Sequence, residues 1–194
     1  MMSLGGTCAV TYNLRLLFSK NEIIKSPFDW AKISIKQLIC VLEDNFNEYD
    51  KLEIKKFSEN HPLLNDEDKD EKGSLILTNP YGITFAHQIL EMYELDIYII
   101  EIGKQIFNFM NLQSEITLVR FETGMMKSDF NTNLKKLLEL LSNFFKFKLT
   151  LIVHKSYNNN KILKDERITF IYFNDFEADW KYPNIEWSLI KKMI

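Results

Sequence analysis

The sequence predicts an α/β fold: a central, at least partly parallel sheet with helices on both faces, in a single domain. Three observations carry this expectation. Residues 116–121 and 149–153 are short apolar runs of the kind that buried strands use. Between them, 129–145 places Leu134, Leu137, Leu138 and Leu141 on one helical face. Strand, helix and strand at that spacing form a βαβ unit, which implies a right-handed crossover and a parallel pair. Finally, 194 residues with 46% hydrophobic and 26% charged content suffice for one core, so 1–194 is read as one domain.

The remaining elements follow in chain order. Ser3 and Leu4 form the stub of a strand, and Gly5-Gly6 turn the chain. From Thr7, a plausible N-cap, Val10, Leu14 and Leu17 recur at helical spacing. A second helix covers 34–46, opening on a Ser34-x-x-Gln37 capping box, with Ile35, Leu38, Leu42 and Phe46 on one side. Cys40, between Ile39 and Val41, is expected in the core. Residues 52–57 alternate like a strand. Leu75 to Leu77 and Ile83 to Ala86 read as two short strands joined through Asn79-Pro80-Tyr81-Gly82. A long helical pattern follows, with Ile99, Ile102, Ile106 and Phe109 facing inward. A further strand is expected at 168–173 and a closing amphipathic helix at 185–193. The one break in composition, at about 59–73, is rich in Asp, Glu and Lys and reads as an acidic surface loop.

Composition excludes several function classes. A net charge of -3 supplies no basic field for nucleic acid or anionic lipid. Two cysteines make no disulfide framework, and no apolar stretch reads as a signal peptide or a bilayer span, so a reducing cytoplasm is the expected location. There is no HExxH or CxxC, and Asp66-x-Asp68-x-Asp70 has Glu71 and Leu77 where a calcium loop needs Gly and Glu. Gly5-Gly6 matches neither phosphate-binding glycine pattern. No metal and no cofactor are therefore expected.

In open α/β sheets ligands collect outside the carboxyl ends of the strands. The residues that follow the expected strands include Cys8, His87, Glu122 and His154. Cys8 is the sharpest of these. In the first turn of a helix capped by Thr7, a thiol meets the unpaired N–H groups and the macrodipole. Such settings bring cysteine pKa values from about 8.5 down to roughly 3.5–7.5. Gly5 and Gly6 let a carbonyl approach the backbone, and the amides at the helix start suit an oxyanion. The competing reading is a small buried cysteine at a strand–helix junction. His87 is the first choice of base and His154 its rival. Asp29, in Ser26-Pro27-Phe28-Asp29-Trp30, suits either the third member of a triad or a helix cap. Arg120 inside an apolar strand needs a carboxylate partner, Glu122 on the same strand face or Asp29. With Gly5, Gly6, Thr7 and Trp30, Arg120 completes the candidate substrate contacts.

These residues support three readings. The first is a cysteine-nucleophile enzyme acting on a peptide, amide or acyl substrate through a thioester on Cys8. The second is a Rossmann-like nucleotide or sugar-nucleotide binding or glycosyl-transfer domain, with a phosphate near Gly5-Gly6. The third is a non-catalytic interaction domain anchored by Trp30, Trp180 and Trp187.

A resemblance favours the first. Ser3-Leu4-Gly5-x-x-Cys8, Pro27-Phe28-Asp29-Trp30, Tyr81-Gly82-Ile83-x-Phe85-x-His87 and the strand containing Val119-Arg120 together resemble a bacterial and viral family of unknown function described as "putative papain-like cysteine peptidases". The motifs keep the family's order over most of the chain. The resemblance implies a Cys–His catalytic pair, carried here by Cys8 and His87. This chain has Gln88 where the family commonly has an acidic residue after the histidine, and Lys104-Gln105 in place of a pair of arginines. A papain-like domain would set its histidine on an antiparallel, barrel-like sheet, whereas the periodicity of the second half calls for a parallel one.

Overall fold

A computed structural model describes residues 1–56, 75–85, 94–157, 162–176, 179 and 181–192. The chain runs β1 (Met2–Ser3), α1 (Cys8–Leu17), β2 (Ala31–Lys32), α2 (Ile35–Glu43), β3 (Glu53–Lys56), β4 (Leu75–Thr78) and β5 (Thr84–Phe85). It continues through α3 (Glu94–Met110), β6 (Ile116–Glu122), α4 (Phe130–Ser142), β7 (Phe147–His154), β8 (Ile168–Phe173) and α5 (Leu189–Lys192). The acidic stretch at 59–73 lies outside the described residues, as do Ala86, His87, Gln88 and Trp180.

Two four-stranded sheets divide the strands. The first, β1-β6-β7-β8, is parallel throughout. Its central strands alternate because each face meets a different layer. Leu118, Leu149, Leu151 and Val153 join the cluster containing Leu134, Leu137, Leu138 and Leu141 of α4. Val119, Phe121 and Ile152 join Ala9, Val10 and Leu14 of α1 and Ile190 of α5. Helices therefore cover both faces of a parallel sheet, as the βαβ pattern predicts. Each of the four α4 leucines is at most 1% exposed, and burial of that extent stabilises by roughly 1.5–3 kcal/mol per side chain.

The second sheet, β2-β5-β4-β3, is antiparallel. Its β4–β5 hairpin turns at Asn79 to Gly82, where Gly82 has a φ of 69°. The Asn79 carboxamide bonds the Ile83 N–H and the Tyr49 carbonyl. Phe28, Ala31, Leu77 and Phe85 place this sheet against the α4 side of the parallel one in a continuous core. Phe28 is the hub, its ring 5.7 Å from Phe46 and Tyr49 and 5.6 Å from Phe109. The edge-to-face arrangement with the last two is the one aromatic quadrupoles favour. Tyr49 Oη donates to the Pro27 carbonyl at 2.7 Å.

Helix α2 begins on the complete capping box that its sequence predicts. It runs beside α4 in the same direction, with Lys36 paired to Asp129 near one end and Glu43 to Lys136 near the other.

Four expectations need correction. Cys40 is exposed, not core. Successive helical residues point about 100° apart, so buried neighbours at Ile39 and Val41 leave Cys40 on the outer side. The closing helix is only α5, because Ile185 and Trp187 are buried in preceding turns, where Trp187 Nε1 donates to the Tyr182 carbonyl. Ile102 and Phe109 are buried in α3, but Ile99 and Ile106 are only half-buried. Asp29 does not cap α2; Ser34 does.

Candidate active site

The site is built where β1 ends. Leu4 N–H donates to the Val119 carbonyl, and Phe121 N–H donates to the Gly5 carbonyl, so the chain leaves β1 directly over the end of β6. Gly5 and Gly6 have φ values of 70° and 99°. At Gly6 a Cβ would lie 1.9 Å from the Phe121 carbonyl oxygen, so only glycine fits this crossing.

Thr7 then caps α1, its hydroxyl accepting from the Ala9 N–H at 3.2 Å. Cys8 is the first residue of the helix and is half-buried, forming no disulfide with Cys40. The positive end of the helix macrodipole thus falls at this thiol.

Thr11 and Arg15 lie three and seven positions beyond Cys8, on the same stripe of α1. Both meet Asp29. The Thr11 hydroxyl donates to Asp29 Oδ1 at 3.0 Å, and Arg15 Nη2 lies 3.6 Å from Oδ2. The Ser26 N–H also donates to Oδ2, at 3.3 Å. Asp29 is 8% exposed, and burial raises its carboxyl above the ordinary range against the opposing pull of these partners. Trp30, with a φ of 61°, turns the chain beside it; its N–H reaches the Thr11 hydroxyl, and the Arg15 guanidinium lies 5.2 Å from its ring centre. Thr11 and Arg15 escaped the sequence reading, although their offsets from Cys8 are the signal that finds them.

Two residues after Asp29, β2 is already paired with β5. Ala31 sits opposite Phe85, two residues after Asp29 and two before His87 in sequence. His87 itself lies outside the described residues.

His154, the rival base, is 6% exposed with both ring nitrogens engaged. Nε2 donates to the Asn174 carbonyl at 2.8 Å, which leaves Nδ1 to accept the Ser156 N–H at 3.1 Å. That arrangement ties the end of β7 to the end of β8. Arg120 is 0% exposed and spends its fork inside the fold. Nε donates to Glu122 Oε1 at 2.5 Å, Nη1 to the Leu4 carbonyl and Nη2 to the Ile33 carbonyl, each at 3.0 Å. Of the two partners the sequence leaves open, Glu122 is the one it takes. The guanidinium therefore acts beneath the site, fixing β1 and the strand β2 exit against β6, rather than on a bound molecule.

The connections leave to opposite faces at the β1–β6 boundary: β1 feeds α1 on one face, β6 feeds α4 on the other. Such a switch point opens a crevice outside the strand ends. Here it holds a cavity of about 320 Å³, floored by Gly6 and Phe121 and walled by the starts of α2 and α4. No group of three or more His, Cys, Asp or Glu that could hold a metal exists among the described residues. No helix among them is long and apolar enough to cross a membrane.

A parallel α/β layer with a cysteine at the first helix start, joined to an antiparallel sheet, defines the class: a two-sheet α/β protein with a cysteine at a strand–helix junction. The chain belongs to the family described as "putative papain-like cysteine peptidase", whose model matches residues 1–171. It is also similar to the uncharacterized protein R408 of Acanthamoeba polyphaga mimivirus, at 26% identity over 222 aligned positions covering 97% of this chain and 95% of that one. No solved structure matches it.

Proposed function

We propose that the protein is a cysteine hydrolase that cleaves amide or peptide bonds through a thioester on Cys8. The observation that carries this reading is the placement of Cys8 at the capped start of α1, one turn from the Thr11–Asp29 contact, in a chain of this family. His87 takes the thiol proton, and the sulfur bonds to the substrate carbonyl carbon. Amides from Gly6 to Cys8 receive the oxyanion. As the C–N bond breaks, the imidazolium returns the proton to the leaving amine. Water, deprotonated by His87, then adds to the thioester, releasing a carboxylic acid and restoring the thiol. Asp29 positions the imidazole, and its residual lone pairs beyond Thr11, Ser26 and Arg15 are available for that contact. An amine in place of water gives acyl transfer from the same intermediate.

The test is to incubate the protein with p-nitrophenyl acetate and measure intact mass. An acetyl group on Cys8, absent in Cys8→Ser and formed at least about 100-fold more slowly in His87→Ala, is the expected result. Acetylation spread over lysines and unchanged in Cys8→Ser would reject the proposal.

A further inference from the structure

The cavity at the switch point has a chemistry that the thioester reaction does not use. Tyr157, in a 3-10 turn after β7, is 3% exposed and lines the cavity, its ring packed edge-on against Phe130 at 4.7 Å. Its hydroxyl has no hydrogen-bond partner among the described residues. No buried side-chain nitrogen or oxygen among the described residues lacks a partner, so this hydroxyl is one that solvent reaches, open to donate to a ligand atom in the cavity. Burial and the nearby Glu122 push Tyr157 up to about 12, so the hydroxyl stays a donor through the working pH range.

Charge around the cavity sorts in one direction. Both of its carboxylates are committed: Glu122 to Arg120 at 2.5 Å and Asp129 to Lys36 at 2.6 Å. Lys32 and Lys127, also at its wall, have no ion-pair partner among the described residues. The start of α4 opens here too, with Asp129 as its cap residue. On a chain of net charge -3, this is a local cationic pocket.

We propose that the cavity is the specificity subsite of the enzyme and binds the carboxylate of an acidic side chain, making the substrate an acidic peptide. The inference rests on the cysteine-hydrolase reading for its substrate and on the cavity alone for its ligand. Gly6 connects the two, because it floors the cavity two residues before Cys8. A glutamate side chain entering from the rim would meet the Tyr157 hydroxyl and the Lys127 and Lys32 ammonium groups, while the adjoining peptide lies toward the start of α1. A glutamine fills the same space but leaves both lysines uncompensated.

The experiment uses Cys8→Ser, so that binding is read without turnover, and titrates N-acetyl-glutamate α-amide against its isostere N-acetyl-glutamine α-amide by calorimetry. The expected result is at least about tenfold tighter binding of the glutamate compound, with the preference lost in Lys127→Gln and binding weakened in Tyr157→Phe. Equal affinity for the two compounds, or a preference that survives both substitutions, overturns the subsite. In the wild-type protein the glutamate compound should also slow iodoacetamide labelling of Cys8; binding without protection overturns the assignment to the substrate path. If the acetyl transfer to Cys8 described above fails while the glutamate preference holds, the hydrolase reading falls and the anion site stands.

Discussion

The two sheets of this protein handle chain reversal differently, and the contrast locates the site. In the antiparallel sheet the β4–β5 hairpin turns at Gly82, whose missing Cβ would meet only Gln37 Nε2, at 3.4 Å. In the parallel sheet the turn after β1 passes so close to β6 that a Cβ on Gly6 would overlap the Phe121 carbonyl. One glycine relieves backbone strain and the other permits a crossing. The crossing brings Cys8, the amides of the α1 start and the cavity to one strand end, so tolerance to substitution should differ sharply between the sheets.

The largest expected effect follows directly. Gly6→Ala should destabilise by more than about 4 kcal/mol or prevent folding, because backbone rather than a flexible side chain must move. Gly82→Ala should cost only about 1–2 kcal/mol, the strain of a positive φ in an alanine. Urea denaturation of both variants checks this, and similar losses would erase the distinction.

Next comes the post beneath the crossing. Arg120→Met should cost about 3–5 kcal/mol, since it leaves the carbonyls of Leu4 and Ile33 and the Glu122 carboxylate without their donor. Arg120→Lys should recover only part of this, because one ammonium cannot span three acceptors set around a planar fork. Full recovery by lysine would show that charge alone matters there.

A smaller effect concerns Asp29, where the sheets meet α1. Its folded-state carboxyl is raised above the ordinary 3.8, chiefly by burial. The folded state therefore holds this proton more tightly than the unfolded one, and stability drawn from Asp29 falls as pH rises through the window just above 3.8. Asp29→Asn should remove that fall, so its stability relative to wild type should improve as pH rises through the window and then level off. A flat difference across pH would mean that Arg15 and the hydrogen bonds cancel the burial cost.

Legibility in the sequence also separates the sheets. The parallel half rests on long, self-declaring elements: the leucine stripe of α4 and the apolar runs of β6 and β7 name their partners by periodicity, and the Gly-Gly-Thr-Cys junction names its own geometry. The capping box of α2 was readable for the same reason, since it is a local spacing, whereas for Arg120 local spacing offered Glu122 only as one of two partners. The antiparallel sheet was readable only as its β4–β5 hairpin and the alternation of β3. Strand β2 spans Ala31–Lys32, too short for any period, and its pairing with β5 joins residues more than fifty positions apart. The Asp29 contacts with Thr11 and Arg15 are likewise tertiary. The chain builds one sheet of each kind, so the parallel pattern of the second half stands beside an antiparallel sheet.

The central claim is that the start of α1 turns Cys8 into a nucleophile. The most direct measurement is the rate of iodoacetamide labelling of Cys8 against pH, followed by peptide mass, with exposed Cys40 as the internal reference. Cys8 labelling is expected to titrate well below the ordinary thiol value of about 8.5 and to shift toward it in His87→Ala, with the labelling of Cys40 unchanged by that substitution. A Cys8 profile that coincides with that of Cys40, and is indifferent to His87, would contradict it.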